Sequence, residues 1–154
     1  MHNNMTTIQD KEVNYQIQLK NIEILKCSID MPGNIQEING LFNFNINIES
    51  KADANKNLIF VLVHVTVVND NKLLTLANLS VSCIYEINNF NELVKIDENG
   101  KMNIPQNLIE TLNIISISTT RGVMFSSFKG TFLHNAILPI IDPKQLHTSQ
   151  VGNL

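Results

Sequence analysis

The sequence predicts an α+β fold: about four antiparallel strands, forming a meander with a crossover loop, packed by one long C-terminal helix. Two observations carry this prediction. Four apolar segments before residue 89 repeat with a period of two residues, and one segment after Pro105 repeats with a helical period. The 154 residues suffice for one domain with a core of its own. We expect that domain to span residues 14–146, with a disordered lead at 1–13 and a frayed tail at 147–154.

The first predicted strand, residues 15–29, alternates with a period of two residues but changes phase twice. Its apolar residues form three successive groups: Tyr15, Ile17 and Leu19; Ile22 and Ile24; Leu25, Cys27 and Ile29. A strand changes phase in this way only through bulges or a bend. We expect it to end at residues 30–34, because Pro32 has no N–H to donate to a strand ladder.

The second and third predicted strands, residues 42–49 and 58–68, differ in how many of their faces are apolar. The second alternates apolar with polar residues, which indicates one face in contact with water. Its apolar residues are Phe42, Phe44, Ile46 and Ile48. The third is apolar on both faces until His64 and Thr66, so we expect a central strand covered on both faces. A loop over residues 50–57 is expected to join the two.

The fourth predicted strand, residues 73–88, follows a tight hairpin at residues 69–72 and completes the sheet. Residues 108–125 then favour a helix that starts after Pro105, a residue that the first helical turn tolerates. The apolar stripe of this helix consists of Leu108, Leu112, Ile115, Thr119, Gly122 and Phe125. Beyond it we expect extended chain, because two further prolines bar a second long helix.

Composition and charge argue against several classes of function. The formal net charge of -3 is not that of a basic nucleic-acid-binding surface. The longest apolar run, residues 58–63, is far shorter than the roughly 20 residues of a membrane-spanning helix. The N-terminus lacks the charged and apolar regions of a signal peptide. We therefore expect a cytoplasmic protein with free cysteines at Cys27 and Cys83, no membrane insertion and no nucleic-acid partner.

No arrangement of residues in the sequence points to catalysis, a metal or a cofactor. The four histidines are scattered, and none has Cys, Asp or Glu at metal-ligand spacing. There is no nucleophile elbow, phosphate loop or zinc-protease motif, so we expect a protein that is not an enzyme. Arg121 is the only arginine, and its planar guanidinium suits a structural clamp from the helix to the sheet or to another subunit.

The predicted sheet and helix leave more apolar surface than one helix can cover, which indicates a partner. A second copy of the chain in a homo-oligomer is one candidate, and an unfolded polypeptide held in a groove is another. A small apolar ligand is a third, although the sequence shows no convergent polar groups that would orient it.

Three parts of the chain resemble, in the same order, motifs of the SecB family of export chaperones. Residues 16–19 (QIQL) and 28–32 (SIDMP) resemble the family's opening FQIQ…ISFEAP. Residues 63–68 (VHVTVV) resemble its LRVTVTA strand. The predicted helix, the break KGTF at residues 129–132 and the extended residues 136–143 (AILPIIDP) together resemble the family's long helix and RGTFP…LAPVNF segment.

The resemblance implies a chaperone of the holdase type, without chemistry or cofactor, that binds unfolded or partly folded polypeptides in apolar grooves between helix and crossover loop. It also implies a homo-oligomer, either a dimer or a tetramer. The client contacts that it implies are Ile29, Met31, Ile35, Ile38, Phe42, Phe44, Leu108 and Leu112. The residues assigned to the subunit interface are Ile115, Thr119 and Arg121. Those assigned to docking of the export motor SecA are Asp30 and Leu76.

Two positions depart from the family's SecA-docking pattern, because Lys26 and Asn78 stand where exporting members carry acidic residues. Two functions therefore stay open. One is a general holdase that serves protein export. The other is a narrow-specificity binding module not coupled to SecA, such as a chaperone that protects the antitoxin of a toxin–antitoxin pair.

Overall fold

The structure, a computed structural model, describes residues 16–34, 38–142 and 145, together with the backbone of 148–150. The predicted disordered lead and the client contact Ile35 lie outside these residues. The elements, in chain order, are β1 (Ile17–Ile29), β2 (Phe42–Asp53), β3 (Leu58–Asn69), β4 (Thr75–Ile87), α1 (Phe90–Leu93), β5 (Lys95–Ile96), β6 (Met102–Asn103), α2 (Gln106–Phe128) and β7 (Thr148–Gln150).

The predicted α+β fold is confirmed: the four long strands form an antiparallel sheet, and helix α2 packs across β3 and β4. The strand order in this sheet is β1-β4-β3-β2-β7. Strand β7 adds a fifth, parallel strand within residues 147–154, where the sequence predicted a frayed tail. Strands β5 and β6, which the sequence did not predict, form a separate small hairpin. Below, the inner face of the large sheet is the face that α2 covers.

The phase changes predicted for β1 are confirmed as two irregularities in its pairing with β4. The register shifts between Leu19 and Asn21 and again between Ile24 and Lys26. The shifts leave Lys20 and Leu25 without a partner in the register. Ile17, Leu19, Ile22, Ile24, Cys27 and Ile29 therefore lie on one face. That face is the inner one, since Ile22 lies opposite the buried Cys83.

Strand β2 is longer than predicted, because the loop expected from residue 50 begins only after Asp53. Ser50 and Ala52 continue its inner face, where both are fully buried opposite Val61 and Ile59. Both side chains are small and uncharged, which suits burial. The sequence predicted a loop here and so did not indicate that they would be buried. The turn that joins β2 to β3 is therefore short, with Asn57 at a positive φ of 56°.

The central strand β3 is fully covered on its inner face only, which differs from the cover predicted for both faces. Its inner side chains have exposures of 0–1%, whereas Phe60, Leu62 and His64 on the outer face are half-buried. Polar cross-strand contacts occupy the outer face: His64 Nδ1 lies 2.8 Å from Ser80 Oγ. Thr66 donates a hydrogen bond to the Asn78 side chain at 3.1 Å.

Helix α2 buries a different stripe from the predicted one after its second turn. Ile115, Gly122 and Phe125 of the predicted stripe are exposed. The residues buried in their place are Ser116, Ile117, Thr120, Met124 and Phe128. The hydroxyls can be buried because their hydrogen bonds are made inside the protein, as when the Thr120 hydroxyl donates to the Ser116 carbonyl at 2.8 Å.

After α2 the chain turns at Gly130, whose φ of 79° favours glycine. Further turns occupy residues 131–135, so the extended chain expected directly after Gly130 begins only at residue 136. Leu133, Ala136 and Leu138 anchor this return by burial in the core. Within the part of the chain that the structure describes, no helix is both long and apolar enough to cross a membrane.

Candidate functional site

A groove of about 560 Å³, lined by apolar side chains together with Asn43 and Gln145, lies between strand β2 and the extended segment after helix α2. Its lining residues are Phe42, Asn43, Phe44, Ile46, Ile137, Pro139, Ile141 and Gln145. One wall therefore comes from the second strand of the chain, and the other comes from residues nearly one hundred positions later.

Alternate residues of β2 form the first wall. Phe42, Phe44 and Ile46 share the inner face and are half-buried, so their rings and methyl groups are partly available to a bound molecule. The start of the strand is fixed by Asn43, whose side-chain amide donates to the carbonyls of Asn69 and Asp70 at 3.3 and 3.1 Å. These bonds hold the groove's first wall against the β3–β4 hairpin.

Arg121 fixes the second wall. Its Nε donates to the carbonyl of Leu138 at 2.7 Å, and one terminal nitrogen donates to the carbonyl of Pro139 at 2.9 Å. The guanidinium thus clamps α2 to the extended segment of the same chain, a different partner from the sheet or second subunit that the sequence suggested. Because Leu138 points into the core, Ile137 on one side of it is half exposed and lines the groove.

The seven predicted client contacts among the described residues divide into four groups. Phe42 and Phe44 line the groove, while Ile29 and Ile38 are partly buried and pack against the core. Met31 is 70% exposed and does not line it.

Leu108 and Leu112 have no exposed surface, and the groove does not include them, because this face of α2 packs onto the sheet.

Much of the groove lining comes from residues that the sequence did not single out as client contacts. Ile46 could have been found, since it continues the face of Phe42 and Phe44. The extended segment of Ile137 and Ile141 was recognised as apolar but not as a wall.

The two residues assigned to SecA docking lie side by side at the end of the β1–β4 pair. The Asp30 N–H donates to the Leu76 carbonyl at 2.8 Å, and the Asp30 side chain is exposed. Leu76 is only 1% exposed, so its side chain is not available to a partner at this surface. Lys26 lies opposite Ser80 on the outer face, where the family pattern would have placed acids.

A cluster of buried polar side chains joins the inner face of the sheet to helix α2. The Tyr85 hydroxyl lies 2.7 Å from Ser116 Oγ, and the Cys83 thiol makes side-chain hydrogen bonds with Ser116, Tyr85 and Thr119. Burial raises the pKa of both the Cys83 thiol and the Tyr85 hydroxyl, because a charged form would lose its water. The cluster is therefore neutral at pH 7 and structural in character.

Strand β1 leaves apolar side chains uncovered next to α2. Leu19, Ile22 and Ile24 point to the inner face, but all three are exposed, with Ile24 at 55%. Helix α2 packs on β3 and β4, and Ile22 of β1 lies opposite Cys83 of β4. Ile115, one helical turn before Thr119, is also exposed. We refer to Leu19, Ile22, Ile24 and Ile115 as the uncovered strip.

The described residues show no arrangement suited to metal chemistry, since no three His, Cys, Asp or Glu side chains among them come together. His64 is held by Ser80 and has its second ring nitrogen 3.8 Å from a carboxylate oxygen of Glu49. The groove and the uncovered strip are thus the candidate binding surfaces, and the buried cluster has a structural role.

The antiparallel sheet, the crossover between its first two strands and the long helix across its inner face define a SecB-like fold. Among solved structures, the chain is similar to the SecB-like chaperone Rv1957 of Mycobacterium tuberculosis, in complex with a ChAD peptide from the HigA1 antitoxin Rv1956. The TM-score is 0.51 at 12% sequence identity, over 81% of this chain and 89% of that chain. No family model matches the sequence, and no curated protein is similar enough to match. At this identity the likeness establishes the fold.

Proposed function

We propose that this protein is a SecB-like holdase that binds unfolded or partly folded polypeptide segments in the groove between β2 and the segment after α2. The observation that carries the proposal is an apolar groove, walled by Phe44, Ile137 and Ile141, on a chain with a SecB-like fold. The fold's neighbour in Mycobacterium tuberculosis is a chaperone in complex with a peptide, which supports a peptide as the occupant. Aromatic and aliphatic side chains suit a site that accepts many sequences.

Light scattering of a chemically denatured protein, diluted into buffer with and without this chain, tests the holdase activity directly. We expect suppression of aggregation at stoichiometric amounts, without nucleotide or metal. Scattering that is unchanged at a several-fold excess of the chain would remove the holdase proposal.

Two isoleucines of the same segment offer a matched pair that tests whether clients bind in the groove. Ile137 lines the groove, whereas Ile140 is 94% exposed and does not. Ile137→Asp should weaken suppression at least about tenfold, because a carboxylate in the groove loses water when an apolar client binds. Ile140→Asp should leave it unchanged. An equal loss in both variants would contradict the assignment of the groove.

A second candidate function is that of a narrow-specificity module, such as an antitoxin-protecting chaperone that does not couple to SecA. The outer face favours it, because Lys26 and Asn78 stand where a SecA-docking face would be acidic, and Leu76 is buried. Pull-down with purified bacterial SecA discriminates the two. Absence of binding supports this candidate, and stoichiometric capture of SecA supports the role in export.

We further propose that the protein works in the cytoplasm as a homo-oligomer, either a dimer or a tetramer. The support is the uncovered strip, because Ile22 and Ile24 of β1 and Ile115 of α2 are all exposed apolar side chains. Water contact with apolar surface costs about 25 cal/mol per Å². Burial of the strip against a second copy would remove that cost from both subunits at once.

A further inference from the structure

We propose that a client binds by adding a strand to the outer edge of β2, the edge turned away from β3, and that strand β7 is an intramolecular occupant which the client displaces. This inference rests on the proposed holdase function and adds the way in which the client's backbone is held. The occupant is an extended apolar segment of an unfolded polypeptide.

The outer edge of β2 has free positions beside the groove. The opposite edge pairs with β3 over the whole strand, from Phe42 opposite Asn69 to Asp53 opposite Leu58. On the outer edge, the single strand partner among the described residues is β7, which covers only Ile48 to Ser50. The N–H and C=O groups along an open edge are a template for a further strand.

The open part of this edge coincides with the groove. Phe42, Phe44 and Ile46, which line the groove, precede the residues that pair with β7. In an added strand every second side chain would point to the inner face, into the space between these residues and Ile137 and Ile141. The main-chain hydrogen bonds of such a strand do not depend on its side chains, so the mode combines affinity with low sequence selectivity.

Strand β7 shows that this edge accepts an extended strand. Thr148 lies opposite Ile48 and Gln150 opposite Ser50 in a parallel register. Ile141 lies on the groove wall, and β7 pairs further along β2, in the direction of β2 itself. Three paired residues make a short contact, which a longer client strand starting in the groove can outcompete.

The test weakens β7 without shortening the chain. Thr148 and Ser149 are both replaced by Pro, because proline has no N–H for the ladder and replacing two successive residues covers both phases of the pairing. The matched control replaces the same two residues by Ala. Circular dichroism and thermal unfolding establish that both variants are folded.

The probe is a fluorescein-labelled peptide of twelve residues in which Val and Thr alternate between terminal lysines, and binding is measured by fluorescence anisotropy. A second peptide of the same sequence carries N-methyl groups on alternate amides, which removes hydrogen-bond donors from one edge. We expect the proline variant to bind the first peptide at least threefold more tightly than the alanine variant. The unaltered protein should bind the methylated peptide at least tenfold more weakly than the first.

The remaining outcomes separate this inference from the proposed function. Equal affinities of the proline and alanine variants would contradict displacement of β7, and equal affinities of the two peptides would contradict strand addition. Failure of both peptides to bind, with aggregation of a denatured protein still suppressed, would overturn the inference and leave the holdase intact. If aggregation is not suppressed either, the proposed function itself fails.

Discussion

The Tyr85 hydroxyl lies 2.7 Å from Ser116 Oγ, and this contact links the inner face of the sheet to helix α2 in the buried core. The same hydroxyl lies 3.5 Å from the carbonyl of Leu112, one turn earlier in the helix. A directional contact in an otherwise apolar layer sets the rotation of the helix about its axis. It therefore helps decide that Ser116 is buried and Ile115 is exposed.

Loss of the Tyr85 hydroxyl should destabilise the fold. We expect Tyr85→Phe to lower the free energy of unfolding by about 1–3 kcal/mol, because Ser116 loses a buried hydrogen-bond partner. Ser116→Ala should cost a similar amount. The double variant should lose less than the sum of the two, as urea unfolding of all four proteins would measure. Strictly additive losses would mean that the two groups do not interact energetically.

Stability should also fall at alkaline pH. Burial raises the pKa of the Tyr85 hydroxyl and of the Cys83 thiol above their ordinary values of 10.0 and 9.0. Above about pH 9 the unfolded chain releases these protons while the folded protein retains them. The contribution to stability is therefore complete below pH 9 and declines as the pH rises, by up to about 1.4 kcal/mol per pH unit for each group.

Urea unfolding between pH 7 and pH 11 measures this decline. Tyr85→Phe lacks one of the two groups, so its stability should fall less steeply than that of the unaltered protein above pH 10. Parallel profiles of the two proteins would show that Tyr85 does not contribute to the pH dependence.

The clamp made by Arg121 should control the order of the groove wall. Arg121→Met removes both hydrogen bonds to the Leu138 and Pro139 carbonyls, so a protease should cut within residues 137–141 at least about tenfold faster. Arg121→Lys keeps the charge but not the planar pair of donors, and should recover protection only in part. Full protection in the lysine variant would indicate that charge alone holds the segment.

The main features of the fold could be predicted from the sequence because they depend on local periodicity. The phase changes of β1 predicted its bulges, and the alternation of Phe42, Phe44 and Ile46 predicted a face that now forms a wall of the groove. In each case neighbours in the sequence are enough to decide which face a side chain takes. The helix after Pro105 follows from the same kind of pattern.

The rest of the site could not be predicted, because it depends on residues distant in the sequence. The second wall exists because Arg121 binds carbonyls of a segment 17 and 18 residues further on, and carbonyls have no sequence signature. Leu108 and Leu112 were expected at the groove, but a helical apolar stripe has the same spacing whether it faces a client or the core. Ser116 and Thr120 were not recognised as core residues, because only the folded protein shows the partners of their hydroxyls.

Assembly through the uncovered strip can be tested at one residue. Ile115→Asp would place a carboxylate on the exposed apolar surface of α2, where an interface between copies would strip it of water. We expect the dissociation constant of the oligomer to rise at least about 100-fold, because an unpaired buried charge costs several kcal/mol.

Leu73 provides the matched control, since it is 82% exposed in the β3–β4 hairpin and lies outside the strip. Leu73→Asp adds the same charge and should sediment like the unaltered protein at micromolar concentration, whereas Ile115→Asp should sediment as a smaller species. Sedimentation of the unaltered protein tests whether it forms an oligomer at all. A soluble monomer at that concentration would mean that Ile22 and Ile24 remain in water, and the argument for an interface would then be wrong.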